Sequence, residues 1–244
     1  MTFYLIGLGL NENSITKESL DIINKTKKLY LEGYTVAFPY NIETLEKNLG
    51  RKVTQLKREA VEKEEFLSDA KKEDVSLLVY GAPLSATTHY SIIEKCKKEG
   101  INYQVLYNGS VIDAVAESGL QLYKFGKTAS MPRWISGKYE PDSFLEIIKD
   151  NNKIKAHTLL LIDIGMSADE AVEQLMNALK KKSQKIDEIM ICSRLGTAEA
   201  KFYYGNVEKL LTLTHKVKEP FCFIIPSEEL HFAEEEALEL HKKE

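Results

Sequence analysis

The sequence predicts an α/β protein of two domains, on three observations. Short apolar runs alternate with longer amphipathic ones, which is the pattern of strands and the helices that cover them. At 244 residues, 43% of them hydrophobic, the chain exceeds the roughly 100 to 200 residues usual for one domain and can bury a sizeable core. The second half also reads as a unit of its own, with a connecting helix expected near Ser110–Val115. The expected domains are therefore residues 1–112 and 113–244.

In the first half, an apolar run predicts a strand over 2–8, and the spacing of Leu20, Ile22 and Ile23 predicts a helix over 17–25. Further strands are expected over 28–36, 52–57, 75–81 and 103–107. Amphipathic segments over 61–72 and 89–98 separate the last three, and such βαβ spacing calls for a largely parallel sheet covered on both faces.

In the second half, a strand is expected over 126–134, then an irregular stretch holding Gly137 and Pro141, then a helix over 142–149. Residues 157–164 form a continuous apolar run, a buried strand by pattern. Ser167 and Glu170 make an S-x-x-E capping box for a helix that buries Ala171, Val172, Leu175, Ala178 and Leu179. Its acids come first and Lys180, Lys181 and Lys182 last, as the macrodipole favours. Strands over 188–193 and 221–226 and a polar helix after His231 complete the unit. No repeat or low-complexity linker interrupts the chain, so the expected ligand site is the cleft between domains.

Composition narrows the function. With 33 basic and 37 acidic residues, the net charge of −4 provides no general attraction to phosphate backbones. Cys96, Cys192 and Cys222 lie far apart in apolar runs, which suits buried thiols in a reducing, cytoplasmic setting. The run over 3–10 lacks a basic leader and is followed by Asn11, Glu12 and Asn13, so no signal peptide is expected, and no stretch is long enough to span a bilayer. His89, His157, His215, His231 and His241 form no H-E-x-x-H or C-x-x-C arrangement, so no metal is expected. There is no G-x-S-x-G or Walker signature. Tyr203 and Tyr204, and residues 221–223, read as strand packing rather than a base-stacking platform, because no basic residues interleave with them.

Two loops carry the candidate chemistry. Gly7-Leu8-Gly9 closes the first strand, either to let backbone amides approach a ligand or simply to make a tight turn. Glu32 stands near the spacing of a ribose-binding acid, yet Glu12 takes the place of the third glycine in G-x-G-x-x-G, where its charge opposes a pyrophosphate. The stretch from Gly81 through Pro83 and Ser85 to His89 follows a buried strand at the end where open α/β sheets bind ligands. Thr87 or Thr88 is placed to cap the next helix. His89 reads as a capping or packing histidine, since no sequence-local partner orients it as a base.

Taken together, several stretches resemble the diphthine synthase branch of the tetrapyrrole-methylase-like methyltransferases. They are Tyr4-Leu5-Ile6-Gly7-Leu8-Gly9-Leu10, Ile15-Thr16, Leu31-Glu32-Gly33-Tyr34-Thr35, Pro83-Leu84-Ser85-Ala86-Thr87-Thr88-His89 and Asn108-Gly109-Ser110-Val111. The block from Ser118 to Thr128, SGLQLYKFGKT, is the most characteristic. Weaker agreement continues through Pro141–Phe144 and His157–Ile164, and at Pro226 with His231.

The resemblance implies two α/β domains, a homodimer, and S-adenosylmethionine bound between the domains. By position it implies cofactor contacts at Leu10, Ala82, Ser85, Ser110, Val111, Ile162, Leu195 and Phe221. It implies methyl transfer to the aminocarboxypropyl-histidine side chain of translation elongation factor 2, with no dedicated catalytic residue assigned. Where the family has Gly-Asp-Pro, this chain has Gly81-Ala82-Pro83, so a carboxylate is missing near the cofactor, and Asp163 is the candidate to compensate. Alternatives are a tetrapyrrole methyltransferase, disfavoured by Thr87-Thr88-His89 and the 118–128 block, and a catalytically weak elongation-factor-binding homologue, which Ala82 keeps open. The stretch 133–140 is shorter than in many relatives, leaving the substrate-docking surface undefined.

Overall fold

The computed structural model describes residues 1–242, and the chain divides into two compact units, Met1–Ile112 and Asp113–Glu244. The first contains β1 (Thr2–Gly7), α1 (Lys17–Lys25), β2 (Lys28–Glu32), α2 (Ile42–Leu49), β3 (Thr54–Leu56), α3 (Arg58–Glu62), α4 (Leu67–Ala70), β4 (Val75–Val79), α5 (Tyr90–Glu99) and β5 (Asn102–Leu106). The helix α6 (Val111–Ala114) begins at its end. The five strands form one sheet in the order β3-β2-β4-β1-β5, every pair parallel. Alternation along the strands loads both faces. Phe3, Leu5, Leu77 and Val79 join Ile92, Ile93 and Cys96 on one side, while Ile6, Leu8, Leu31 and Leu78 join Ile23, Leu45 and Leu49 on the other. The central strand β4 is buried along its whole length, as a parallel strand covered on both faces must be.

The second unit contains β6 (Ala129–Met131), α7 (Ser143–Lys153), β7 (Thr158–Ile162), α8 (Ala168–Lys182), β8 (Glu188–Ser193), β9 (Lys201–Asn206), α9 (Val207–Leu211), β10 (Phe221–Ile225) and α10 (Phe232–His241). Its sheet runs β6-β7-β10-β8-β9. Only β6 and β7 are parallel; β10 runs antiparallel to both β7 and β8, and β8 antiparallel to β9. Ile189, Ile191, Phe223 and Leu160 pack on Phe144, Leu145 and Ile148 of α7 and on Leu175 of α8.

Several elements differ from the pattern reading. The single helix expected over 61–72 is two short ones, because Glu64 adopts a positive φ of 54° that ends the right-handed run. The strand expected over 28–36 stops at Glu32, where the chain turns around its own carboxylate. The one expected over 126–134 shrinks to Ala129–Met131. The helix α2 had signals in the sequence: Asn41 accepts from Thr44 N as the N-cap, Leu45 and Leu49 are buried, and Gly50 closes the helix in the left-handed region. In α8 the capping box forms, with Ser167 N donating to Glu170 Oε2 at 3.0 Å.

Candidate functional site

In a parallel sheet all strand ends of one kind lie along one edge, and the carboxyl edge of the first unit gathers the loops after β1, β4 and β5. The loop after β1 holds Leu10, the loop after β4 holds Ala82 and Ser85, and the loop after β5 holds Ser110 and leads into Val111, the first residue of α6. Gly9 N donates to Gly81 O at 3.1 Å and Gly81 N to Gly9 O at 3.0 Å, a two-way bridge between the first two loops. Tyr80 Oη donates to Leu10 O at 2.8 Å. Asn108 Nδ2 donates to Gly7 O at 3.2 Å and to Ser14 O at 2.9 Å, while its Oδ1 accepts from Gly109 N at 2.8 Å.

This bridging explains the glycine turn. A Cβ on Gly7 would lie 2.6 Å from Gly81 O and 2.9 Å from Pro83 Cδ, and one on Gly9 would lie 2.4 Å from Ser14 Cβ and 2.9 Å from Asn108 Oδ1. Both glycines are needed so that neighbouring loops can pack closely. The amide of Gly9 is already bonded to Gly81, and α1 begins only at Lys17, capped by Thr16. The turn therefore does not deliver a helix N-terminus in the manner of a dinucleotide fingerprint.

Glu32 is buried, and its carboxylate accepts from Tyr34 N at 2.9 Å, Thr35 N at 2.8 Å and Thr35 Oγ1 at 2.6 Å. It holds its own turn instead of reaching a ribose. His89 is buried, and its Nδ1 donates to Pro83 O at 3.3 Å, which leaves Nε2 buried without a hydrogen-bond partner. Burial lowers the His89 pKa below its usual value, against the Glu32 charge and the Pro83 carbonyl, so the ring is neutral. Neither Thr87 nor Thr88 caps α5: Thr87 Oγ1 accepts from His89 N, one residue before the helix starts.

In the second unit, Ile162 ends β7, Leu195 follows β8 and Phe221 begins β10. Because β10 is antiparallel to both neighbours, Phe221 lies opposite Ser193, at the same end of the sheet as Ile162 and Leu195. Leu195 is buried, and Ile162 and Phe221 are half-buried. The loop between β8 and β9 is tied to the chain before β10: Arg194 N donates to Pro220 O at 2.8 Å, and Ser193 Oγ donates to Lys218 O at 2.8 Å. Asp163 Oδ2 accepts from Arg133 N and its Oδ1 from Ile164 N, so this carboxylate closes the ends of β6 and β7.

The 118–128 block is fixed by buried polar groups. Glu234 of α10 is fully buried; its Oε1 accepts from Gln121 N and His157 Nε2, each at 3.0 Å, and its Oε2 accepts from Lys124 Nζ at 2.5 Å and His231 N at 2.8 Å. Ser227 N donates to His157 Nδ1 at 2.9 Å, which sets the Nε2–H tautomer of a ring whose pKa burial lowers despite Glu234 beside it. Burial alone would raise the Glu234 pKa, but the N–H of His231, the Lys124 ammonium, the N–H of Gln121 and His157 bring it down to about 2. Gly119 and Gly126 leave no room for a side chain: a Cβ would lie 2.3 Å from Ala237 Cβ in the first case and 2.3 Å from Asn151 Oδ1 in the second. Glu234 was missed in the sequence because, apart from its capping contact with His231, its partners Gln121, Lys124 and His157 lie 77 to 113 residues away. Asn108 was visible only as a letter of the Asn-Gly-Ser-Val stretch.

Among the described residues no three metal-binding side chains cluster, and no helix is long and apolar enough to cross a membrane.

The chain matches the family Tetrapyrrole (Corrin/Porphyrin) Methylases over residues 2–211. It is similar to a diphthine synthase of Methanococcus maripaludis, 36% identical over 249 residues and covering 96% of each chain. It is also similar to a diphthine methyl ester synthase of Mus musculus, 34% identical over 270 residues, covering 97% of this chain and 95% of that one. A crystal structure of diphthine synthase superimposes with a TM-score of 0.89 at 28% identity, covering 100% of this chain and 96% of that one.

Proposed function

We infer the activity from the premise that this chain belongs to the tetrapyrrole methylases and, within them, to the diphthine synthases. It is an S-adenosylmethionine-dependent methyltransferase of diphthamide biosynthesis. Its acceptor is the amino nitrogen of the aminocarboxypropyl-histidine side chain on translation elongation factor 2. The compartment we assign is the cytoplasm, with which three free, buried thiols agree, and the assembly we assign is a homodimer, as in the family.

The observation that supports this assignment most directly is the placement of the expected contacts. Leu10, Ala82, Ser85, Ser110 and Val111 sit at one sheet edge on the segments after β1, β4 and β5, the first of which is hydrogen-bonded to each of the other two, and Ile162, Leu195 and Phe221 at one end of the other sheet. Apolar walls with a few hydroxyls are what an adenosine with an amino-acid tail requires. A Cβ on Gly109 would meet nothing within 4 Å, so the backbone leading to Ser110 is open to a ligand. We assign those eight residues as the cofactor contacts. Ala82 is buried and holds its turn through its carbonyl, which accepts from Ser85 N at 3.2 Å; this backbone role does not need the family's aspartate.

When bound, S-adenosylmethionine supplies an activated methyl group on a sulfonium. The chain's own residues then have two tasks, to hold donor and amine in line and to keep water out, which proximity catalysis requires without a dedicated acid or base. The test is labelled methyl transfer to elongation factor 2 carrying the unmethylated precursor, followed by mass analysis of the peptide. Label on that one side chain is expected. The mass counts the methyl groups and separates nitrogen from carboxylate methylation. Label absent from the factor but present on a tetrapyrrole precursor would overturn the assignment.

A further inference from the structure

Asn108 uses every hydrogen-bonding group of its amide on the loops of the first unit's carboxyl edge. Its two N–H bonds go to Gly7 O, where β1 ends, and to Ser14 O, beyond Leu10, and its oxygen takes Gly109 N in its own loop. The space it fills is space a side chain at position 9 would occupy, since a Cβ there would come within 2.9 Å of Asn108 Oδ1. Tyr80 makes the complementary tie from the β4 loop, donating to the carbonyl of Leu10 itself at 2.8 Å. Neither residue is among the assigned cofactor contacts, yet between them they set where Leu10 stands relative to Ser110 and Ala82.

We propose that Asn108 is a positioning residue for S-adenosylmethionine, aligning the Leu10 and Ser110 loops through its divided amide, with Tyr80 fixing the Leu10 carbonyl from the third loop. The inference rests on the cofactor reading above. Asparagine is required because both acceptors are carbonyls: an aspartate of the same shape has no proton for either and sets its charge against two oxygens. Loops that slide apart lose contacts made to the cofactor by backbone and short side chains on different loops, while a protein acceptor docked elsewhere is unaffected.

The experiment uses the full chain and measures cofactor affinity by calorimetry, together with separate KM values for cofactor and acceptor protein. Asn108→Asp is expected to raise the cofactor Kd and KM about tenfold or more, leaving the acceptor KM and the rate at saturating cofactor nearly unchanged. Tyr80→Phe removes a single hydroxyl and keeps the ring, so it reports even if the Asn108→Asp variant fails to fold; a rise of about threefold or more in cofactor Kd is expected. Wild-type cofactor affinity or equal rises in both KM values in Asn108→Asp would overturn the inference alone, as would wild-type cofactor affinity in Tyr80→Phe where Asn108→Asp does not fold. A wild-type chain that does not bind S-adenosylmethionine would overturn the cofactor reading and this inference with it.

Discussion

At the residue scale, the buried carboxylate of Glu234 makes stability depend on pH. Its folded pKa of about 2 lies below the usual glutamate value of 4.5. Its contribution is therefore fully present above about pH 4.5 and disappears as pH falls through the window towards 2, an effect of about 3 kcal/mol. The buried, neutral His157 and His89 act in the same direction from a higher starting point. Their folded pKa values lie below the ordinary 6.5, so the unfolded chain takes up their protons first and stability begins to fall as pH drops below about 6.5. Urea unfolding of Glu234→Gln should show a loss of about 3 kcal/mol at pH 7 and a flatter curve below pH 4.5. An acid limb identical to wild type would show that the carboxylate has no such role. The same block leaves Tyr123 82% exposed, so Glu234 holds it through the Gln121 backbone and the Lys124 ammonium and not through that ring.

At the element scale, α8 was legible because its signals are local. Ser167 and Glu170 stand three apart at its start, the buried residues recur at helical spacing, and the lysines close it. Replacing Ser167 with Ala should lower stability by about 1 kcal/mol, read as a shift of the denaturant midpoint with the slope unchanged; a change in slope instead would point to an altered unfolded state. The 61–72 segment was not legible. Phe66, Leu67 and Ala70 stand at helical spacing, but Val61 would face the opposite side of one straight helix; the left-handed Glu64 breaks the run, and all four reach the same core. The strand β9 was half-legible: Tyr203 and Tyr204 suggested strand packing, and its antiparallel pairing with β8, one loop earlier in the chain, came from the structure.

At the scale of the whole molecule, a protein that binds its cofactor only when folded gains stability by mass action. S-adenosylmethionine at a hundredfold excess over its Kd should add about 2.7 kcal/mol, raising the thermal midpoint by about 5 to 10 °C for a chain of this length; an unmoved midpoint would contradict binding. The sequence by itself determined the α/β class, the strands at the heart of both sheets, the thiols as free and buried, and the family, because periodicity, caps and short motifs are properties of neighbouring residues. Tertiary structure alone decided that Gly7 and Gly9 exist for loop packing, that Glu32 and Asp163 close turns, and that the 118–128 block answers to Glu234. It also decided that the second sheet is mostly antiparallel. In each of these cases the deciding contact is a hydrogen bond or a steric approach, made either between residues far apart in the chain or by a side chain turning back on its own backbone. Such a contact has no trace in the local order of residues until folding brings its partners within about 3 Å.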